Sequence, residues 1–444
     1  MRIMIVGAGR VGHFLSEKLS GEGKEVVLVD RDEAKLRRIE RDLNIMTVQG
    51  SGASAKVLEE AGIDQTDLFI AVTDSDEVNL VACILSQQYS VETRIARVRN
   101  SDFYSSGAAH SNRALGIDLL ISPDQAITEE IKKLCTRHDA FETAEFAGGQ
   151  VVLLGYSLHE GNPALGRTLI DLRLKGVVVA IVRAGVTIIP RGNDVLNAED
   201  KVYLVVRKED IPQVEAAFDF SSSLPKLVFI VGGGAIGRMT ARSLEDMGVA
   251  VRLLEEDPVV CKGLIEELDE TVVLNCDGLE ASNLVDEGID RADVVVAVTG
   301  SDTTNILASL LAKHHGAARC ITKISRPDFL PMLSKLGIDM ALSPQLVAAN
   351  MILRFVRGRG ALVSTASLLG SDAEVAEIRV PPSPKFKGVP LSKLRFPRGT
   401  IVGAVVGSEG VVIARGDTVL DMDDRLIIFL TANAREALED YFEN

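Results

Sequence analysis

Apolar residues in this chain come in short unbroken runs rather than in alternation. Within the first 125 residues the runs are IMIVGAG from residue 3, VVLVD from 26, DLFIAVT from 67, TRIARV from 93 and LLISP from 119. A brief run that is apolar at nearly every position predicts a strand buried on both faces. Between the runs lie stretches such as AKLRRIERDL (34–43), whose apolar residues recur at helical spacing. Strand and helix patterns that alternate in this way predict a parallel, doubly wound sheet.

The same pattern returns half a chain later. VFIVGGGAIGRMTARSL (228–244) repeats IMIVGAGRVGHFLSEKL (3–19), and VRLLEED (251–257) repeats VVLVDRD (26–32). LVDEGIDRADVVVAVTGSDTTN (284–305) repeats VLEEAGIDQTDLFIAVTDSDEVN (57–79). CITKISRPDF (320–329) repeats RIARVRNSDF (94–103), and LGIDMALSPQL (336–346) repeats LGIDLLISPDQ (115–125). A repeat this long sets the architecture before any local reading does. Each unit is followed by a different segment, 149–206 and 373–430, in which a small helical stretch lies between short strands and precedes a hairpin. VAIVRAGVTIIPRG and VGAVVGSEGVVIARG share the glycine-containing turn.

The predicted fold class is therefore α/β, with two Rossmann-type doubly wound parallel sheets, each followed by a small α+β domain. The expected domains are 1–138, 139–222, 223–358 and 359–444. Linkers are expected near 139–148, 219–226 and 357–371. The last contains or adjoins Arg354, Arg357 and Arg359, which read as a solvated basic loop or a docking surface.

Each first strand runs straight into Gly-x-Gly-x-x-Gly. Gly7, Gly9 and Gly12, and again Gly232, Gly234 and Gly237, permit in turn a tight strand exit, close approach of a pyrophosphate, and close helix packing. The helix that opens there offers unpaired N–H groups and a favourable dipole to phosphate. An acid ends strand two in both units, Asp30 and Glu255, each 18 residues past the third glycine. A carboxylate there accepts hydrogen bonds from ribose hydroxyls and repels a 2′-phosphate, although Arg31 beside Asp30 can offset that repulsion. Thr73, Asp74, Thr299 and Gly300 fall at the carboxyl edge of strand four, where such folds bind ligands. Asn79 and Asn305 begin the next helix and read either as caps or as site residues. Arg97 and Lys323 hold matching places at the end of strand five, suited to phosphate or to a surface ion pair.

Composition narrows the function. The 444 residues are 46% hydrophobic and 25% charged with a net charge of −15, which argues against non-specific binding to nucleic acid. Cys83, Cys135, Cys261, Cys276 and Cys320 form no Cys-x-x-Cys pair, and the six histidines form no metal-ligand spacing, so neither a disulfide framework nor a metal site is expected. The opening MRIMIVGAG has no secretion-leader pattern, and no apolar run is long enough to span a membrane, so a cytoplasmic protein is expected.

The paired glycine turns, the AVTDSDEVN and RIARVR segments, their second copies and the two RG-x-x-V-L domains resemble the family of regulator-of-potassium-conductance domains (RCK, or KTN), in the tandem form that serves Trk potassium uptake. The likeness covers essentially the whole chain in the same domain order. It implies a peripheral cytoplasmic subunit that self-associates into a ring, as dimer or tetramer, beneath a membrane potassium-translocating subunit of the TrkH/KtrB type. It also implies binding of NAD(H), or of ATP/ADP, especially at the second site. By matching motifs the contacts would be Gly7, Ala8, Gly9, Arg10, Val11 and Gly12 with Asp30, Thr73, Asp74 and Arg97. In the second unit they would be Gly232, Gly233, Gly234, Ala235, Ile236 and Gly237 with Glu255, Thr299 and Lys323. Many members carry Gly-Asp after strand three; here the first unit has Gly50-Ser51 and the second Cys276-Asp277. The alternative, an NAD-dependent oxidoreductase, needs an acid or base over the nicotinamide. The α+β segments offer only His159, in a loop, and no Tyr-x-x-x-Lys, so no catalytic residue is assigned.

Overall fold

The computed structural model describes residues 1–100, 103, 115–136, 140–220, 224–326, 329–357, 362–368, 373–408 and 410–443. In the first repeat β1 (Arg2–Val6), β2 (Glu25–Asp30), β3 (Met46–Gln49), β4 (Leu68–Ala71), β5 (Thr93–Arg97) and β6 (Leu119–Ile121) form one parallel sheet in the order β3-β2-β1-β4-β5-β6. Its centre is buried on both faces, as the unbroken apolar runs require: Ile3, Met4, Ile5, Val27, Leu28, Phe69 and Ile70 are fully buried. In register, Val6 lies opposite Val29 on one side and Ala71 on the other. The turn that follows Val6 therefore emerges between Asp30 and Thr73, where the strand order reverses and ligands of such sheets bind.

A sheet of a different kind lies in the chain between the two repeats. β7 (Ala140–Phe146), β8 (Val151–Ser157), β9 (Gly176–Arg183), β10 (Val186–Ile188) and β11 (Lys201–Arg207) make an antiparallel sheet in the order β10-β9-β11-β8-β7. The second Rossmann-type sheet, β12 (Leu227–Val231), β13 (Ala250–Glu255), β14 (Val272–Asn275), β15 (Val294–Ala297), β16 (Cys320–Lys323) and β17 (Met340–Leu342), repeats the first strand for strand. The chain ends with β18 (Leu362–Ser367), β19 (Glu374–Arg379), β20 (Val389–Pro390), β21 (Thr400–Gly407), β22 (Gly410–Ile413), β23 (Val419–Leu420) and β24 (Arg425–Leu430). Five of these form the sheet β18-β19-β24-β21-β22, and β20 pairs with β23. Both expected hairpins are present, as β9–β10 and β21–β22.

Two of the expected linkers are strands. DAFETAEFAG contains β7, and RGRGALVSTASLLGS contains β18; each pairs antiparallel with the strand that follows it. Both are edge strands with one neighbour only, so their sequence lacks the dense apolar character of the central runs. The third, 219–226, includes residues 221–223, which lie outside the described residues, as does Arg359. Arg354 lies in the helix Pro344–Arg357.

Spatial grouping does not follow chain order. Met1–Ile131 gathers with Leu227–Ile352 in one compact unit, and Lys132–Lys226 with Leu353–Asn444 in another. The second unit accounts for the two-sided burial of β8. Val152, Leu154 and Tyr156 face a core closed by the module's own Val214 and Phe218. Val151 and Leu153, on the opposite face, share a core with Val375, Ala404, Ile427 and Phe429 of the later module. One charged group is buried at this junction: Glu377, 3% exposed, accepts from the Ala147 amide at 3.1 Å and from Arg425 Nη1 at 2.8 Å.

The sheets meet closely at Gly403, where an added Cβ would stand 2.8 Å from Val205 Cβ. Overpacking of this kind destabilises by about 1–3 kcal/mol. Gly403→Val is expected to lower the urea midpoint of unfolding by that order; an unchanged midpoint would mean the two sheets are not held in this contact.

Candidate functional site

The site is assembled from backbone before any side chain takes part. Gly7 leaves β1 with φ +111, and its amide donates to Val29 O at 2.8 Å. A Cβ at Gly7 would stand 2.9 Å from Thr73 N, so neither the conformation nor the space admits another residue. At Gly12 a Cβ would lie 1.8 Å from Gly7 O, so the helix Arg10–Gly21 can close on the strand only with glycine there. Gly9 is different. It caps that helix in an extended conformation, without a side-chain cap, and nothing lies within 4 Å of where its Cβ would be. The first turn thus has no side-chain cap and open space beside Gly9, the two conditions an anion site at a helix start requires. Gly232, Gly237 and Gly234 repeat the three cases: φ +108 against Thr299 N at 2.9 Å, 1.9 Å from Gly232 O, and open space.

The acids at the ends of β2 and β13 are bound into these turns. Asp30 Oδ2 accepts from the Ala8 amide at 2.5 Å and Oδ1 from Asp32 N at 2.8 Å. Glu255 Oε2 accepts from Gly233 N at 2.6 Å and Oε1 from Asp257 N at 3.0 Å. Each carboxylate oxygen retains a lone pair for a ribose hydroxyl.

Asn79 and Asn305 do not cap helices; Ser75 and Ser301 do, through Val78 N and Thr304 N at 3.2 Å. Both asparagines are fully buried clamps. Asn79 Oδ1 accepts from Thr73 N at 2.9 Å and Thr73 Oγ1 at 2.7 Å, while Nδ2 donates to Thr73 O at 3.1 Å and Arg97 O at 2.8 Å. Asn305 makes the same four bonds to Thr299 and Lys323. One side chain therefore fixes the carboxyl ends of two strands. Asp76 and Asp302 extend the frame, accepting from Arg99 N and Asn100 N, and from Ser325 N and Arg326 N.

Arg97 is 8% exposed, and its Nη1 lies 3.4 Å from Thr73 O and 3.5 Å from Asp74 Oδ1; its Nε has no partner among the described residues. Burial, and then the neighbouring Arg99, hold the guanidinium below its ordinary range, with Asp74 opposing. Burial likewise pushes the Lys323 ammonium down, against the pull of Asp124 and Asp302. Both are partly desolvated cations, whose charged form a bound anion would favour.

In the first repeat these parts enclose a cleft of ≈ 220 Å³ lined by Gly7, Gly9, Asp30, Thr73 and Asp74, together with Arg31, Lys35, Gly50, Gly52, Ser75 and Val78. Five of the expected residues thus line one cavity. Ala8 takes part through its amide. Val11 and Ile236 are buried in helix packing, and Gly12 serves that packing. The Arg10 side chain is turned elsewhere: its Nη1 donates to Ser325 O, in the second repeat, at 2.6 Å. In that repeat Gly232, Gly233, Glu255, Thr299 and Lys323 come together through the same contacts, with Ala235 opening the helix after Gly234. Arg31, named from the sequence for its place beside Asp30, lines the cleft; Lys35 and Gly52, which the sequence reading does not name, line it too. Gly52 has a legible signal, since Gly278 recurs at its place and a Cβ at either would strike Val6 or Val231. Ser51 accepts from Arg31 Nη2 at 2.8 Å. Among the described residues no cluster of three potential ligands for a metal ion occurs, and no helix is long and apolar enough to cross a membrane.

Comparison with known proteins agrees with this fold. The TrkA-N domain model matches residues 3–123 and 228–344, and the TrkA-C domain model matches 153–219 and 375–443. The chain is 36% identical over 444 residues to the Trk system potassium uptake protein TrkA of Halomonas elongata, covering 98% of this chain and 97% of that one. It is 34% identical over 453 residues to the Trk system potassium uptake protein TrkA homolog 1 of Methanosarcina mazei, with 100% of both chains covered. Among solved structures it is similar to the GsuK channel bound to NAD, with a TM-score of 0.63 at 21% identity over 100% of this chain and 79% of that one. It is also similar to the GsuK RCK domain, with a TM-score of 0.61 at 21% identity over 100% and 95%. At that identity the likeness to the solved structures is one of fold.

Removing a clamp asparagine deletes four hydrogen bonds and strands buried donors. Asn79→Ala is expected to destabilise the protein by about 2–4 kcal/mol, measured by chemical denaturation. Asn305→Ala should do the same in the second repeat; a loss below that of an average surface substitution would refute the clamp.

Proposed function

The chain belongs to the TrkA family, with two TrkA-N and two TrkA-C domains, and on that premise we propose that it is the nucleotide-sensing regulatory subunit of a membrane potassium transporter. It binds NAD(H) or ATP/ADP in the two glycine-turn clefts, assembles into a ring as a dimer or tetramer, and docks on the inner face of the membrane through its transporter partner. The relatives are named for potassium uptake, and the chain is read as a regulator and no enzyme. An oxidoreductase would use the same cofactor but would turn it over.

The observation that carries this reading is a short bonded path between the clefts. The Arg10 guanidinium, one residue past Gly9, donates to Ser325 O. The Ser325 amide donates to Asp302, which opens the helix carrying the Asn305 clamp on Thr299. Phosphate bound at the first glycine turn pulls on the start of the helix bearing Arg10. Ligand at the second turn pulls on the segment that Arg10 holds. Two ligands that prefer different settings of this contact shift the equilibrium between them by the difference in their binding free energies, and by no more.

Gly9 and Gly234 permit a clean test, since a side chain at either meets only the space a phosphate would fill. Gly9→Val and Gly234→Val are each expected to abolish one class of NADH or ATP sites in titration calorimetry while leaving the melting temperature unchanged. Steady hydride transfer by the wild-type protein, or binding untouched in both variants, would overturn the proposal. Arg10→Gln is expected to leave each site's own affinity intact and to erase the dependence of one site on the other. A coupling of about 1–3 kcal/mol corresponds to roughly 5- to 150-fold in the wild type; equal coupling in the variant would rule out this path.

A further inference from the structure

The two clefts share one backbone frame but differ in charge where the ribose would lie. In the first, Arg31 follows Asp30 and Lys35 stands in the first turn of the helix Glu33–Asp42; both line the cavity. Ser51, a neutral hydroxyl, holds Arg31 by a 2.8 Å bond. The repeat aligns these three with Glu256, Val260 and Asp277. Arg31 is replaced by an acid, Lys35 by an alkyl group, and the hydroxyl by a second acid. Asp277 is not diverted to a cation: its Oδ1 accepts from the Leu279 amide at 2.8 Å. Glu255 remains, so at the positions matching Asp30, Arg31, Lys35 and Ser51 the second repeat has three acids and no cation.

An acid at the end of the second strand accepts the ribose 2′-hydroxyl and opposes a 2′-phosphate, while a nearby arginine accommodates that phosphate. The first cleft has both devices. Asp30 is held by the Ala8 and Asp32 amides, which disperse part of its charge, and Arg31 and Lys35 flank it. We infer that the first cleft admits a 2′-phosphorylated dinucleotide, NADP(H), alongside NAD(H), and that the second rejects it. Arg31 and Lys35 are the specificity-determining residues. The inference rests on the nucleotide-binding reading above and adds to it a division of labour: the first site responds to the phosphorylated and unphosphorylated pools together, the second to the unphosphorylated one alone.

The test uses the full chain with one cleft blocked at a time, titrated separately with NADH and NADPH. In Gly234→Val only the first cleft is open, and in Gly9→Val only the second. The ratio of NADPH to NADH affinity is expected to be at least about 10-fold higher in Gly234→Val, from the Coulomb difference of several unit charges near the surface. Adding Arg31→Glu to Gly234→Val should bring the ratio down towards that of Gly9→Val while NADH still binds, whereas Arg31→Lys should preserve it. Equal ratios in the two blocked proteins, or a ratio indifferent to Arg31→Glu, would overturn the inference and leave the nucleotide reading standing. Failure of both blocked proteins to bind either dinucleotide would overturn both.

Discussion

The nucleotide-binding half of this molecule depends on backbone lying against backbone where β1 and β12 end. At Gly7 and Gly232 the chain passes so near the exit of the neighbouring strand, β4 or β15, that a single carbon would displace it, and at Gly12 and Gly237 the helix rests on the carbonyl of its own turn. Those contacts place the helix N-terminus over the sheet edge. The carboxylates of Asp30 and Glu255 then bond the turn from the side, and Asn79 and Asn305 bond the neighbouring exit from below. Each later feature of the clefts, including the open space at Gly9 and Gly234, follows from keeping side chains out of two places so that a third is left clear.

Much of this was legible in the sequence because glycine spacing and strand-end acids report backbone needs directly. The six-stranded order follows from alternating runs and helices, and the cleft forms around Gly7, Gly9, Asp30, Thr73 and Asp74 as their positions suggest. What escaped the reading depends on side-chain direction. Arg10 sits inside the fingerprint, yet its long side chain reaches the other repeat. Asn79 looks like a cap because it stands near a helix start, but its fourth-residue position turns it inward, and Ser75 has the capping geometry. Edge strands β7 and β18 read as linkers because an edge needs apolar residues at few positions.

The antiparallel modules illustrate a second limit. The Val- and Leu-containing runs of β8 and β11 announce burial on two faces, but one module supplies cover for only one of them. The other face is covered by the later module, more than 150 residues away in the chain. No local pattern names that partner; only the repeat hints that a matching surface exists. Glu377 shows how specific the match is, since a buried carboxylate in one module takes its hydrogen bond from the backbone of the other.

The order in which the chain is made conflicts with the order in which it packs. Met1–Ile131 finds its companion only in Leu227–Ile352, and Lys132–Lys226 only in Leu353–Asn444. During synthesis the first antiparallel sheet emerges with Val151, Leu153, Tyr203 and Val205 uncovered, and stays so until β24, close to the last residue, leaves the ribosome. Such a sticky nascent surface is prone to capture by the same surface on a neighbouring polypeptide. Translation rate and chaperone occupancy thus bear on the yield of this protein more heavily than on that of a chain whose modules close one after another.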